Sequence, residues 1–284
     1  MKDIKRRIKS IESTGQITKA MELVASSKLR RAKERAQNAA PFFSTLYQTI
    51  CDISTMTTDL SSDYIKPREV KSSLFIVIAG DRGLAGGYNA NILKLANNTM
   101  SQKREQGIET KVIAIGKKAV DYYEKRNNLI AGFAGVAEDL DQIRVENIAN
   151  IAINLYKKGE VDEINLYYTQ FMSALSQEPV ELKVLPLKDI ANKTEEKGVH
   201  SLCVYEPSPE AVFDSIVPLY ISGILYGSIV ESFASEQGAR RTAMESANDN
   251  AKEMIDTLSL QYNRARQSAI TQEISEIVSG AGAL

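Results

Sequence analysis

The chain has 284 residues, 43% of them hydrophobic and 25% charged, the make-up of a folded protein of one large or two modest domains. A net charge of −1 argues against bulk electrostatic binding to nucleic acid, and a single histidine, His200, removes most histidine-based metal and general-base chemistry. Two cysteines, Cys51 and Cys203, with no CxxC spacing argue against a disulfide framework or a zinc site and suit a reducing compartment.

Residues 1–58 read as one helix. Ile4, Ile8 and Ile11 open an apolar stripe that continues through Met21, Ala25, Leu29, Ala32 and Ala36, with Val24 beside it. Gly15 weakens the helix locally, and Pro41 predicts a bend. The polar face from Met1 to Arg35 carries eleven basic residues against four acidic ones, a bias of +7. A charged helix face is ordinarily just solvated. This one is denser than solubility requires, and an acidic partner surface is the expectation. Basic residues open the chain but no apolar run follows them, so no signal peptide is expected.

After a polar linker around Pro67, strand and helix alternate. Leu74 to Ala79 reads as a buried strand, and a glycine-rich loop from Gly80 to Gly87 leads into a helix over 89–106. Thr110 to Ile115 is a second strand, Lys117 to Arg126 a helix, and Leu129 to Phe133 a short third strand. A helix over 141–158 is expected to bury Ile143, Ile148, Ile151 and Leu155. Glu163 to Phe171 and Pro179 to Leu187 read as paired strands, and Leu202 to Tyr205 as an edge strand. This alternation predicts a mainly parallel sheet in an inserted, Rossmann-like α/β domain over 74–206.

Residues 209–284 form the second long helical segment. Ser208 is its expected N-cap, with Pro209 at the first helical position. Pro218 is expected to separate a short helical piece from the long one. The uncharged run from Ser215 to Val230 is about 16 residues, short of a bilayer span, and reads as a buried helix. Met244, Ala247, Ala251, Met254, Leu258, Tyr262, Ala265 and Ala269 make one stripe. From Leu219 to Ser279 the helix would be about 90 Å long, and so must lie along another helix or inside a partner. Between Phe213 and Val278 the charge bias is −4, opposite to that of the first helix. The fold predicted is α/β: a long antiparallel coiled coil of the two terminal helices, with the α/β domain at one end of the rod.

No catalytic constellation emerges. The loop Asp81 to Asn89 stands where phosphate-binding loops stand, but its spacing is not GxGxxG and no Walker lysine follows. A tight glycine turn is the favoured reading, with Asp81 and Arg82 pairing locally or touching another subunit. Ser173 and Ser176 have neither a GxSxG setting nor a histidine base. No catalytic residue, cofactor or metal is assigned. The run Arg264 to Gly280 stays helical while its stripe weakens. Ile270, Ile274, Ile277 and Val278 make fraying into water costly, so enclosure by a partner is expected.

Several stretches carry a resemblance to the gamma subunit of rotary F-type ATP synthases. Ile270-Thr271-Gln272-Glu273, Glu276 and Gly280-Ala281 resemble the family's C-terminal signature, and Thr14 to Ala25 its N-terminal motif. Asp81 to Asn89 resembles its domain loop, with Ala85 where many members have cysteine. Ser235 to Arg241 is similar to a further motif, with Gly238 where alanine is commoner. The extra cysteine-bearing segment of chloroplast members is missing, so thiol regulation is not implied.

The resemblance implies a central shaft inside a ring of alpha and beta subunits, with the α/β domain contacting the epsilon subunit and the membrane ring of c subunits. It implies a beta-lever contact near Met21 and the basic collar Lys28, Arg30 and Arg31. It implies a beta-loop contact at Arg266, Gln267 and Thr271, and a foot at Tyr205 and Glu206 by the c ring. The chain itself would hydrolyse nothing, and would sit peripherally on the cytoplasmic face of the cell membrane. Two other readings stand beside it. One is a nucleotide-dependent enzyme on the α/β domain, disfavoured by the missing lysine. The other is a coiled-coil nucleic-acid binder, disfavoured by the acidic second helix.

Overall fold

The computed structural model describes residues 1–56, 62–66, 68–126, 128–187 and 205–281. The element order is α1 (Lys2–Met56), β1 (Ser72–Ile78), α2 (Tyr88–Glu105), β2 (Glu109–Ile115), α3 (Lys117–Tyr123), β3 (Leu129–Phe133), α4 (Gln142–Lys157), β4 (Glu163–Phe171), β5 (Gln177–Leu185) and α5 (Pro209–Ala281). His200, Cys203 and most of the expected strand over 202–205 lie outside the described residues. Two compact units emerge: 1–26 with 240–284, and 27–239.

The first unit is an antiparallel helix pair. A Cβ at Gly15 would sit 3.7 Å from both the Ala251 Cβ and the Asn248 Oδ1. Nearer the N-terminus, Ile11 shares a groove with Met254 and Leu258. As α1 advances, α5 retreats. The covered positions on α1 include Ile4, Ile8, Ile11, Gly15, Thr18, Glu22 and Ala25, with Met21 half-buried at their edge, and those on α5 include Met244, Asn248, Ala251, Ile255, Leu258, Tyr262, Ala265 and Ala269, with Ala247 and Ser259 half-buried at theirs. Both series alternate steps of four and three, the heptad spacing of a left-handed coiled coil. That period shifts the expected stripe at two places: Asn248 stands in the seam beside the half-buried Ala247, and Ile255 takes the position of Met254, which is 55% exposed. Val24 is exposed too, one position off the seam. On α1 two seam positions are polar. Thr18 turns its hydroxyl back to the Gly15 carbonyl at 3.0 Å, and the Glu22 carboxylate accepts from Lys19 Nζ at 3.0 Å.

The second unit is built on a five-stranded sheet of order β3-β2-β1-β4-β5, with β1 to β4 parallel and β5 antiparallel to β4. β1 is buried along its whole length because it lies centrally with helices on both faces. On one face Phe75, Val77, Ala114 and Tyr167 meet Ile92, Ala96 and Met100 of α2 and Ala119 and Tyr123 of α3. On the other, Leu74, Ile76, Ile113 and Leu166 meet α4. Ile50 and Ile53 of α1, and Phe213, Val217, Ile221, Leu225 and Ile229 of α5, complete that same layer. Within this unit, stretches of both long helices therefore serve as cover for the sheet.

Some sequence expectations need correction here. Ser208 caps α5 as expected, its Oγ accepting from the Ala211 N–H at 3.2 Å. Pro218 does not divide the helix, and α5 runs unbroken through it. Proline removes one helical hydrogen bond, but the neighbouring turns are anchored in the core by Phe213, Val217 and Ile221, so packing overrides local propensity. α1 runs through Pro41 as one helix, as its sequence predicts. Ile143 is exposed, because Asp141 caps α4 from Ile143 N at 3.2 Å and the buried face begins at Val145. By length and composition α5 is apolar enough to cross a membrane. Its apolar residues from Val217 to Val230 are instead largely buried against the sheet.

Candidate functional site

The loop between β1 and α2 lies at the carboxyl end of the sheet, beside the point where strand order reverses. That is where doubly wound sheets take their ligands. Here the protein fills the place with its own groups. Asp81 Oδ1 accepts from Lys117 N and Gly135 N, each at 2.8 Å. It occupies the start of α3, where an anion would otherwise sit. Asn89 Oδ1 accepts from Gly80 N at 2.8 Å, and its amide donates to the Arg82 carbonyl at 3.3 Å. α5 closes the crevice from above: a Cβ at Gly80 would lie 2.8 Å from the Glu236 carboxyl. Gly116 answers a similar constraint, since a Cβ there would lie 1.9 Å from the Ala79 carbonyl oxygen, at φ +92. The loop is a structural turn, as its glycines suggested. Arg82 pairs with Glu138 at 3.4 Å rather than with Asp81.

Among the described residues no group of three or more His, Cys, Asp or Glu side chains could hold a metal ion. The residues singled out from sequence lie in four places. Arg266, Gln267 and Thr271 are exposed on α5 in the first unit. Gln267 and Thr271 share one face with Arg264 and Ser275, while Arg266 lies one step round the helix. The cross-helix contacts at Gly15 and Ile11 set a register that puts Met1 opposite the turn at Arg264. From Arg266 to Val278 every residue except Ala269 is exposed. Ile270, Ile274, Ile277 and Val278 are among the exposed residues. Met21 is half-buried beside the seam, opposite Met244, about 33 Å along α5 from Arg266. The structure thus does not bring Met21 together with the distal group.

The basic collar lies on α1 within the second unit and is not uniform. Lys28 pairs with Glu138, and Lys33 lies 4.5 Å over the Phe171 ring. Arg30 and Arg31 are exposed and make no ion pair among the described residues. Tyr205 packs against the large core, and Glu206 next to it is exposed.

Sequence reasoning missed two features. One is Glu138 as the partner of Lys28 and Arg82. The other is a polar face on α5, where Glu231, Ser232 and Ser235 meet the end of β4. A trace of the second was visible as serines at 228, 232 and 235, on one helix face inside an apolar run.

The family model that matches spans residues 1–284 and is described as ATP synthase. The gamma chain of Ruminococcus albus ATP synthase is 55% identical over 280 residues, covering 98% of this chain and 96% of the relative. The gamma chain of Acetobacterium woodii, described as sodium ion specific, is 43% identical over 301 residues, covering 100% and 98%. Among solved structures, one chain of the Euglena gracilis mitochondrial ATP synthase covers 99% of this chain and 93% of its own, at TM-score 0.67 and 17% identity. One from the Tetrahymena thermophila central stalk covers 81% and 99%, at TM-score 0.61 and 21% identity. The match runs from the first residue to the last, and the chain belongs to the ATP synthase gamma-chain family.

Proposed function

We propose that this chain is the rotating central stalk of a membrane-bound F-type ATP synthase, non-catalytic itself. It couples ion flow through a ring of c subunits to ATP synthesis in a head of alpha and beta subunits. The epsilon subunit would bind the α/β domain, and the whole would lie peripherally on the cytoplasmic face of the cell membrane. The observation that carries this reading is the distal end of α5. It stays helical while presenting isoleucines and a valine to solvent. An isolated helix end of that composition gains nothing by remaining in water, whereas a surrounding collar of subunits would bury it.

The coupling is mechanical. A shaft whose faces differ presents a different contact to each beta subunit as it turns. Each contact favours one conformation of a nucleotide site by its differential free energy. Arg266, Gln267 and Thr271 would serve the distal contact, and Met21, Arg30 and Arg31 a lower one, with Lys28 beside them. Tyr205 and Glu206 would face the c ring. The reading is tested by replacing Arg266 and Gln267 with alanine in the assembled complex. ATP turnover should fall at least about fivefold with the chain still folded. Unchanged turnover removes the coupling role of both residues.

A further inference from the structure

Glu138 stands in the loop between β3 and α4 and holds two cations from two other elements. One is Lys28 of α1, and the other is Arg82, at 3.4 Å, from the loop after β1. Neither pair is deeply buried: the side chains are 30% exposed at Lys28, 43% at Glu138 and 72% at Arg82. Pairs of that exposure are weak and exchange readily. Arg30 and Arg31 continue the same helix and are free to meet an outside carboxylate. Beside Arg82 the loop apex carries Leu84, 65% exposed and at φ +61. A leucine held in the left-handed region is strained, and strain of this kind turned to solvent clusters at binding surfaces.

We propose that Glu138 is an internal stand-in for an acidic partner segment. It occupies Lys28 and Arg82 until the partner's carboxylates displace it, so that two of the four cations are held internally when the surface is unoccupied and all four face the partner when it is engaged. This rests on the reading of the collar as a dock for an acidic surface, and adds to it a competitor, a second cation at Arg82 and an apolar contact at Leu84. The partner is a protein segment rich in carboxylates with an apolar residue among them. Exchange of one carboxylate for another conserves the ion pairs. Docking then reads as the difference between Glu138 and the partner rather than as the full attraction of four cations.

The test uses the full-length chain and an oligoglutamate peptide as probe, with affinity followed against salt concentration. Glu138→Gln should bind the peptide about threefold tighter than wild type, the scale of an exposed ion pair released. Glu105→Gln removes the same charge at the exposed end of α2 and should leave affinity unchanged. Replacing Lys28 and Arg82 by methionine in the Glu138→Gln chain should abolish the gain. If Glu138→Gln binds no tighter than Glu105→Gln while loss of Arg30 and Arg31 still weakens binding, the competitor is wrong and the dock stands. If loss of Arg30 and Arg31 has no effect either, the dock itself is wrong. Thermal unfolding of each variant separates these outcomes from misfolding.

Discussion

The hydroxyls of Tyr88 and Ser232 meet at 2.7 Å in the interior, joining the first turn of α2 to the middle of α5. The contact belongs to a larger solution. β4 pairs with β1 only as far as Tyr167 but continues to Phe171, so its last residues have one side without a strand. α5 supplies the missing partners. Ser232 Oγ accepts from Thr169 N at 3.4 Å, Ser235 Oγ donates to the Thr169 carbonyl at 3.0 Å, and Glu231 accepts from Phe171 N at 3.2 Å. Buried backbone groups left unpaired are costly, and this helix face stands in for a strand. Ser232→Ala should therefore destabilise the chain by about 1–2 kcal/mol, read as a lower denaturant midpoint. Ser215→Ala, at an exposed position earlier in the same helix, should cost far less.

Glu231 gives that joint a pH dependence. Burial raises its carboxyl above the ordinary value, and the hydrogen bond from Phe171 N opposes this only in part. A carboxyl with a raised folded pKa disfavours the folded state once it is ionised. The penalty is absent below the ordinary carboxylate pKa and complete above the raised one. Glu231→Gln keeps an oxygen for the Phe171 N–H and cannot ionise. It should raise the unfolding midpoint at pH 7, and the gain should vanish by about pH 4. A gain independent of pH would show that ionisation is not its source.

Two glycines one turn apart in α5 should respond with opposite signs to alanine. A Cβ at Gly227 meets nothing within 4 Å, so Gly227→Ala should gain up to about 1 kcal/mol of helix propensity. A Cβ at Gly223 would lie 2.3 Å from the Phe43 ring. Phe43 is itself held against Phe42 and Tyr226, so Gly223→Ala should cost about 1–3 kcal/mol. Unfolding midpoints of the two variants decide the matter, and a shared sign would contradict this account of the α1–α5 contact.

Much of the sheet was legible because its strands announce themselves. Leu74 to Ile78 is an uncharged β-branched run, and β3 and β4 begin and end where their sequences change character. Pro218 misled because a local rule was weighed without the core residues that flank it, Phe213, Val217 and Ile221. Met254 and Ile255 could not be separated by hydrophobicity, since both fit a helical stripe. Only the strict four-three alternation imposed by a partner helix selects Ile255. The Glu138 contacts were invisible for a different reason: they join residues 110 and 56 positions apart, and no periodicity records such a pairing. Arg266, Gln267 and Thr271 stand out in the sequence only as part of a helix end polar and apolar on every side, and their contact role comes from the resemblance alone.

The collar gives a functional prediction. Arg30 and Arg31 are exposed, so Arg30→Glu with Arg31→Glu should leave thermal unfolding nearly unchanged, since surface substitutions away from buried contacts cost little. In the assembled complex the same pair should lower the number of ions pumped per ATP hydrolysed. Adding Lys28→Glu should lower it further, because Lys28 would then repel Glu138 as well as the partner. An unaltered pumping ratio in the triple variant would contradict the collar's role.

The central claim is that the paired helices turn as one shaft within a ring of catalytic subunits. The direct measurement attaches a visible probe to the chain in the immobilised, assembled complex and supplies ATP. Leu175→Cys, at the tip of the β4–β5 hairpin and 82% exposed, offers the attachment point once Cys51 and Cys203 are replaced by serine. The predicted result is rotation in one direction that stops when ATP is exhausted. ATP turnover at the normal rate with a stationary probe would contradict it.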